Sequence, residues 1–422
     1  MADSKNLVHA FDTQADFSIH GVDEPKPATT LTAAFTSATP IVDLPPTLGP
    51  LSAFTGTFTG QGFNTIFRPE SAATPTAMPG PVTTTDPNDN VLELNLTVET
   101  LSFSNSLGSI PNRGLGSQAD AFLNGVPYLQ TISDVTIGEP VGIHFEPGMW
   151  LAVPATTNPA EPFTVARMAS IPHGTTIVAQ GVFDVIAGKP HIGTVDITPL
   201  IGGDPARPFR FQNQTVANTG TRRIPQNLAG VPSITQLLVD NPNKLLDDQI
   251  ASQNIIQTIV IETSTKPGSP LSGGPLPSGV HPSAPDFGGG PANIAFLQGE
   301  PTPPPGGGPN TNANAFQMDA VFWIETVIYD VDVPPISAGS PPIILDPVQK
   351  GTVPLVPSFV AAIPFVPGKS FAGGTVQVAT IQIQYSQKVM LDFAGLAWPH
   401  ASVASLVPAA PIPIPESLLP LT

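Results

Sequence analysis

The chain has 422 residues with 53 prolines and 38 glycines, no cysteine, and a formal net charge of −17 at pH 7. The lack of cysteine excludes disulfides and any thiolate-ligated cluster or haem, and the acidic charge without a basic patch argues against nucleic acid as a partner. So much proline and glycine is incompatible with helix bundles and doubly wound α/β sheets. Alternating runs of Val, Ile, Leu and Phe instead indicate an all-β chain with long loops.

Residues 1–50 are rich in Thr, Ala and Pro with little periodicity, which predicts an N-terminal arm that wraps the folded body or stays mobile. Residues 1–23 mix charges and lack the apolar core and cleavage site of a secretory signal, so we expect a cytoplasmic protein. No segment approaches the roughly 18 uninterrupted apolar residues of a membrane-spanning helix, so no membrane partner is expected.

Residues 51–189 are predicted to form the first strands of a barrel. Strand-like patterning with turn residues between the segments predicts an antiparallel meander over residues 54–67, 91–103, 127–135, 142–153, 163–171 and 175–185. The first segment carries evenly spaced glycines on the face of Phe58, namely Gly56, Gly60 and Gly62. Removing side chains from one face lets a sheet coil tightly or lets something bulky approach the backbone.

Residues 190–315 read as a mixed block, either an insertion or part of a second barrel. The block contains the only convincing helices and one further strand, predicted at residues 233–238, 243–253 and 254–263. Pro242 is well placed to open the second helix. A proline- and glycine-rich tract, residues 266–313, is predicted to be a long surface loop or linker.

Residues 316–406 are predicted to supply the closing strands. Strand character returns at residues 316–331 and 376–390, and a final apolar strand around residues 398–403 contains His400. Either one antiparallel barrel is closed by these strands around the inserted block, or two barrels are fused. Residues 407–422, interrupted by prolines, are expected to pack along the surface as an extended tail.

Three histidines fall in or beside the patterned strands: His144, His173 and His400. Neutral imidazole is a common ligand for iron, copper and zinc, and a strand aimed at a cavity holds a ligand rigidly. The plainer interpretation of His400 is a core histidine bonded to a backbone carbonyl. His173 lies at a bend between strands, where it is either solvated or close to a ligand at the barrel mouth.

His144 and Glu146 point to the same face of a strand. They either share a proton or bound water, or bond to neighbouring strands. The sequence has no Walker loop, no G-x-S-x-G elbow and no H-E-x-x-H zinc helix. The histidines and this carboxylate are therefore the main candidates for chemistry.

Three motifs occur in order along the chain: Gly56-x-Phe58-x-Gly60-x-Gly62, His144-x-Glu146-x-Gly148-x-Trp150, and Tyr385-Ser386 followed by the strand of His400. Together they resemble nitrobindin-like proteins, a family of calycin-type β-barrels that bind haem. Residues 109–114 and 171–174 are similar to larger bacterial and fungal haem-binding barrel proteins, some of which are labelled peroxidase-like. Phe58 replaces the tryptophan usual in the family, and the chain is far longer than a single such barrel.

The resemblance implies an antiparallel calycin-like β-barrel that holds haem b noncovalently, with His400 as the proximal ligand of the iron. It makes His144, His173 and Glu146 candidates for the opposite, catalytic side. Aromatic residues of the closing strands, Phe393 and Trp398, are expected to line the pocket. Arg113 and Arg167 are candidates to pair with the haem propionates, although a surface salt bridge is the plainer fate of either.

The expected ligands are peroxide, nitric oxide or another small molecule, which leaves open whether the protein is a peroxidase-like oxidoreductase, a sensor or a carrier. Two other hypotheses stand beside haem. One is a calycin carrier for a fatty acid or other apolar molecule, and the other is a structural protein whose barrel is filled by side chains. The sequence is also compatible with a homodimer.

Overall fold

The computed structural model of the protein describes residues 47–70, 90–157, 160–171, 174–265, 290–293, 314–348, 353–393 and 395–422. All of these residues fall within the unit Pro45–Thr422. Nearly all of the predicted N-terminal arm and most of the predicted loop 266–313 lie outside the described residues. Within the described ranges the chain is all-β with only two short α-helices, which confirms the predicted fold class.

Ten antiparallel strands close into a barrel in which every strand pairs with its neighbours in chain order. They are β1 (Gly56–Pro69), β2 (Asn90–Phe103), β3 (Ala121–Asp134), β4 (Val141–Val153), β5 (Thr164–Ser170), β6 (Thr175–Ala187), β7 (Asn254–Ser264), β8 (Asn314–Val333), β9 (Gly374–Phe393) and β10 (Leu396–Pro408). β10 pairs back with β1, from Phe58 opposite Pro408 to Thr65 opposite Ala401. The described chain therefore forms one barrel closed by its C-terminal strands, the first of the two predicted architectures.

The observed strands follow the predicted segments, with differences at their ends. β3 begins at Ala121 because Asn124 and Gly125, residue types typical of turns, belong to the ladder with β4. The Asn124 side chain instead accepts from the backbone N–H of Gly108 at 3.1 Å and so fixes the preceding loop. β8 and β9 extend well beyond their predicted ends, to 20 residues each.

Short elements complete the described structure. Brief strands lie at Ile110–Asn112, Thr156–Thr157, Ala160–Glu161, Leu200–Ile201, Arg223–Ile224, Gly290–Asn293, Ile336–Ser337, Ile343–Leu345, Phe359–Ala361, Ser370–Phe371 and Ile412–Pro413. Single turns of 3₁₀-helix lie at Gly49–Ala53, Gln212–Gln214, Leu228–Gly230 and Glu416–Leu418. At the chain end, Ile412–Pro413 adds a parallel ladder to Phe359–Ala361.

Between β6 and β7 the chain leaves the barrel and forms a covering block, residues 188–253, on the outer wall. It contains the two helices, α1 (Gln236–Asp240) and α2 (Lys244–Ile250). The block is tied to the wall by side chains of the strands, since Gln384 of β9 donates to the carbonyl of Leu246 at 3.1 Å. The covering block is thus an addition to the barrel and not a second barrel.

One buried arginine organises the loops of the covering block. The Arg223 side chain donates to six backbone carbonyls, those of Asn213, Thr215, Val216, Asn218, Pro225 and Gln226. Buried carbonyls need donors, and a guanidinium supplies several in one plane. Arg223 and Ile224 also pair in parallel with Leu92 and Glu93 of β2, which anchors these loops to the barrel.

Over residues 92–99, β2 turns its polar residues into the barrel and its apolar residues outward. Glu93 and Asn95 line the interior, whereas Leu96 and Val98 line a cleft shared with α1 and α2. Leu92 and Leu94, on the same outer face by the alternation of the strand, are fully buried. The covering block supplies the apolar surroundings for this face, so the lumen beside β2 is left polar.

Candidate functional site

Side chains at alternate positions of the strands fill the lumen in three zones. Aromatic rings occupy one end, around the start of β1. Buried polar and charged groups lie in the middle. The opposite end, where β1 finishes and β2 starts, contains a cavity.

The aromatic zone is closely packed. Phe54 stacks on Phe103 with ring centroids 4.6 Å apart. Phe322 meets Trp150 edge-on at 5.0 Å and stacks on Tyr385 at 5.4 Å. Side chains therefore fill the lumen at this end.

The cavity has a volume of about 300 Å³. Part of its wall is polar and includes both His144 and His400, and the apolar part includes Ile66, Ile132, Ile143, Ile171, Val389 and Leu391. A largely apolar pocket with a few convergent polar groups is the usual form of a small-molecule site. We call this space the lumen cavity.

His400 is held in the cavity wall by its neighbours on β1. The amide nitrogen of Asn64 lies 3.0 Å from Nε2 of His400 and also donates to Oγ of Ser402 at 2.6 Å. Because an amide N–H can only donate, Nε2 of His400 is the acceptor and carries the lone pair. The imidazole is thus fixed in the neutral tautomer protonated at Nδ1, with Nε2 able to act as a ligand atom.

His144 enters the same cavity from β4. Its Nε2 lies 3.2 Å from Oε2 of Glu146, whose carboxylate is fully buried while the imidazole is 15% exposed. In the ring of strands, β1, β2 and β3 separate β4 from β10 on one side and β5 to β9 separate them on the other. The two imidazoles therefore approach the lumen cavity from different walls.

The carboxylate of Glu146 is paired with a buried cation below the cavity. Arg167 donates to Glu146 at 2.6 Å, to Tyr128 Oη at 2.9 Å and to Gln387 at 2.6 Å, and Tyr128 also donates to Glu146. Burial by itself would raise the pKa of Glu146, but the charge of Arg167 and the bonds from His144 and Tyr128 outweigh it and lower the pKa to about 2. Glu146 is therefore ionised at neutral pH.

A second buried carboxyl, Glu99, lies beside this network, and in the described part of the chain no cation is bonded to it. It accepts from Tyr385 at 2.6 Å, from Gln130 at 3.2 Å and from Thr97 at 2.9 Å. Burial raises the pKa of Glu99 to about 7 even though these hydrogen bonds oppose the shift. The middle of the lumen thus brings together the ionised carboxylate of Glu146 and the carboxyl of Glu99, whose pKa is about 7.

Glu99, Tyr385 and Asn64 were not among the site residues predicted from the sequence. The signal that points to Glu99 is the polar half of the alternation in β2, where glutamate, asparagine and threonine recur at every second position over residues 93–99. Strand alternation alone does not say which face turns inward, and here the polar face does.

Other predicted site residues lie elsewhere. Arg113 forms an exposed ion pair with Asp120 at 2.6 Å, in the loop between β2 and β3. Trp398 stacks on Phe393 with centroids 4.5 Å apart and also on Phe211 of the covering block. None of these three predicted residues is among the described residues that line the lumen cavity. His173 lies outside the described residues.

Comparisons of the chain with protein-family models, with curated proteins and with solved structures find no match. Within the described ranges, no three His, Asp or Glu side chains converge so as to hold a metal ion. Among the described residues, no helix combines the length and apolar character needed to cross a bilayer. The barrel and its lumen cavity are compatible with a calycin-like ligand-binding fold.

Proposed function

We propose that the protein binds haem b in the lumen cavity, where Nε2 of His400 would hold the iron. The observation that carries this proposal is that His400 and His144 line one cavity, with Nε2 of His400 held unprotonated. The ordered motifs that resemble nitrobindin-like proteins contain both histidines. They support the same assignment.

The residues present fit a porphyrin. The apolar wall suits the faces of the macrocycle, and a volume of about 300 Å³ lies at the lower end of the range for small-molecule pockets, roughly 300–1,000 Å³. The iron of a haem needs only one protein ligand to be held, and one imidazole would supply it. For Nε2 of His400 to bind iron, Asn64 must give up its contact there, and Ser402 remains as an acceptor for its amide.

Bound haem supplies an iron centre for nitric oxide, other diatomic ligands or peroxide. The contribution of the chain lies in the groups around it. Nε2 of His144 lies 3.2 Å from the buried carboxylate of Glu146, which orients the imidazole. A carboxylate in this position stabilises positive charge on the ring during proton transfer, which makes His144 a candidate base on the wall away from His400.

For Arg167 we propose a role other than pairing with a propionate. It lies 1% exposed and is already bonded to Glu146, Tyr128 and Gln387. Since Glu146 neutralises its charge, a propionate or a fatty-acid carboxylate would gain little from it. The role that these contacts support is to keep Glu146 ionised beneath His144.

The test is an optical titration of the purified protein with haemin. We expect a Soret band that saturates at an equimolar ratio and is lost or shifted in His400→Ala. His191→Ala is a matched control, because His191 is exposed on the loop after β6 and its removal should leave the spectrum unchanged. A wild-type protein that stays colourless, or a His400→Ala spectrum identical to that of the wild type, would contradict the proposal.

Native mass spectrometry of the same preparation separates the alternatives. An apolar molecule that copurifies without iron would favour a carrier of apolar ligands, for which the six aliphatic side chains of the wall are suited. A protein that carries no small molecule and takes up none would favour a purely structural role.

A further inference from the structure

Glu99 lies directly behind the wall of the lumen cavity. Tyr385 and Gln130 line that cavity, and both donate to Oε2 of Glu99, at 2.6 Å and 3.2 Å. Gln130 also donates to the hydroxyl of Tyr385 at 3.0 Å, which holds the phenol against the carboxyl. A single hydroxyl therefore connects the carboxyl group with the cavity.

The other oxygen of Glu99 faces a different part of the barrel wall. Oε1 accepts from Oγ1 of Thr97 at 2.9 Å, and a Cβ placed on Gly62 would lie 2.6 Å from Oε1. By the alternation of β2, Thr97 lies on the same inward face as Glu99, and both side chains are buried. The carboxyl of Glu99 is thus held inside the barrel through both oxygens, and Tyr385 and Gln130 connect it with the lumen cavity.

Among the described residues, the charged and titratable groups around Glu99 do not include a cation bonded to it. Tyr385 reaches it from β9, and His144 on β4 lowers its pKa only as the smallest of the contributions. Arg167 on β5 is bonded to Glu146 on β4 and to Tyr128 on β3, so its charge is compensated there. A buried carboxyl in such surroundings holds a proton more readily than an ordinary glutamate.

We propose that Glu99 and Tyr385 form a proton path into the lumen cavity, in which Glu99 stores a proton and Tyr385 delivers it to a ligand there. With Glu99 protonated, its O–H donates to the phenol oxygen and the Tyr385 O–H turns to the ligand. In the transfer, the Tyr385 O–H bond breaks as a proton passes to the ligand, and the Glu99 proton moves to the phenol oxygen. Glu99 is left as a carboxylate that accepts from Tyr385, and it regains a proton from water in the lumen cavity by the reverse of these steps once the ligand has left.

This path rests on the proposed function only in that its acceptor is a ligand of the lumen cavity. Tyr385 is the group that meets the ligand, and Glu99 acts through it. The raised pKa of Glu99, about 7, agrees with the geometry because both protonation states are then populated near neutral pH.

Infrared difference spectroscopy of the haem-free protein tests the stored proton. We expect a carboxylic-acid C=O band that disappears as pH rises through about 7 and is missing in Glu99→Gln. Tyr385→Phe, which keeps the ring beside Phe322, should retain the band at a shifted frequency. Glu325→Gln is the matched control, because Glu325 is a second buried acid with a raised pKa that bonds to Gln382 outside this path. It should leave the Glu99 band in place.

The pH profile of the haem-loaded protein with hydrogen peroxide tests delivery. The peroxide reaction should become slower above pH 7 in the wild type and in Glu325→Gln. Below pH 7 it should be roughly 10²-fold slower in Glu99→Gln and in Tyr385→Phe than in the wild type. Neither of these two variants should show the decrease in rate above pH 7. Normal haem binding together with unchanged profiles in both path variants would overturn the path and leave the proposed function intact. Failure of the wild type to bind haemin would overturn the proposed function. In that case the carboxylic-acid band still tests Glu99: its presence supports a stored proton, and its absence overturns the path.

Discussion

Replacing Arg167 with methionine tests whether the buried ion pair stabilises the barrel. Both partners are inaccessible, at 1% and 0% side-chain exposure, and they are 2.6 Å apart. Methionine keeps an unbranched chain among the rings of Tyr128, Trp150 and Phe322, which surround the guanidinium at 5.2 to 5.8 Å. The loss should therefore be mainly electrostatic.

The expected loss is about 3–5 kcal/mol at pH 8, since removing one partner leaves the other as an uncompensated buried charge. The loss should also depend on pH. With Arg167 present the pKa of Glu146 is lowered to about 2, and without it burial is the largest remaining influence and raises the pKa. Glu146 in the variant then binds a proton on acidification, so the free-energy difference from the wild type shrinks between pH 8 and pH 5.

Urea unfolding at both pH values measures these free-energy differences. The proteins compared are the wild type, Arg167→Met, Glu146→Gln and the double variant. The double variant should lose less stability than the sum of the single variants, because it leaves no unpaired charge. Arg113→Met is the control, because its ion pair with Asp120 is exposed and its removal should change nothing measurable. A loss that is equal at pH 5 and pH 8, or additive in the double variant, would refute the electrostatic explanation.

Two further outcomes follow from the same lumen. The pKa of Glu99 is raised from 4.5 to about 7, so its contribution to stability is complete below pH 4.5 and is lost as pH rises to 7. Urea unfolding should therefore show the wild type losing up to roughly 3 kcal/mol relative to Glu99→Gln across this window, and parallel pH curves would contradict it. Gly62→Ala places a Cβ 2.4 Å from the carbonyl oxygen of Val403 and should cost roughly 1–3 kcal/mol in thermal unfolding. Gly142→Ala is the control and should not lower the melting temperature, because a Cβ there meets nothing within 4 Å. Equal melting temperatures of the two variants would argue against a close approach of β1 and β10.

Much of the fold could be predicted because the strand pattern is local. The period of the segments around residues 91–103 and 376–390 marks strands whatever they pack against. Pairing of the first barrel strand with the last is a long-range contact that no local pattern encodes, so one barrel and two fused barrels stayed equally compatible with the sequence. The ladder from Phe58 opposite Pro408 to Thr65 opposite Ala401 is what distinguishes them.

The site could be predicted only where a residue type is unusual for its surroundings. His144, Glu146 and His400 were selected because ionisable groups in apolar strands need a reason to be there. Glu99 gave no such signal, because its strand looked like any strand with one solvated face. Its burial depends on the inward turn of the polar face of β2, which the covering block makes possible.

The outward leucines of β2 set a limit on truncation. A minimal fragment made by deleting residues 188–253 would leave Leu92, Leu94 and Leu96 as a bare aliphatic stripe, and such stripes drive self-association. A soluble miniature of this protein would need polar substitutions along that stripe before the deletion. Homologues with shorter connections between the sixth and seventh strands should, by the same reasoning, carry polar side chains at these positions.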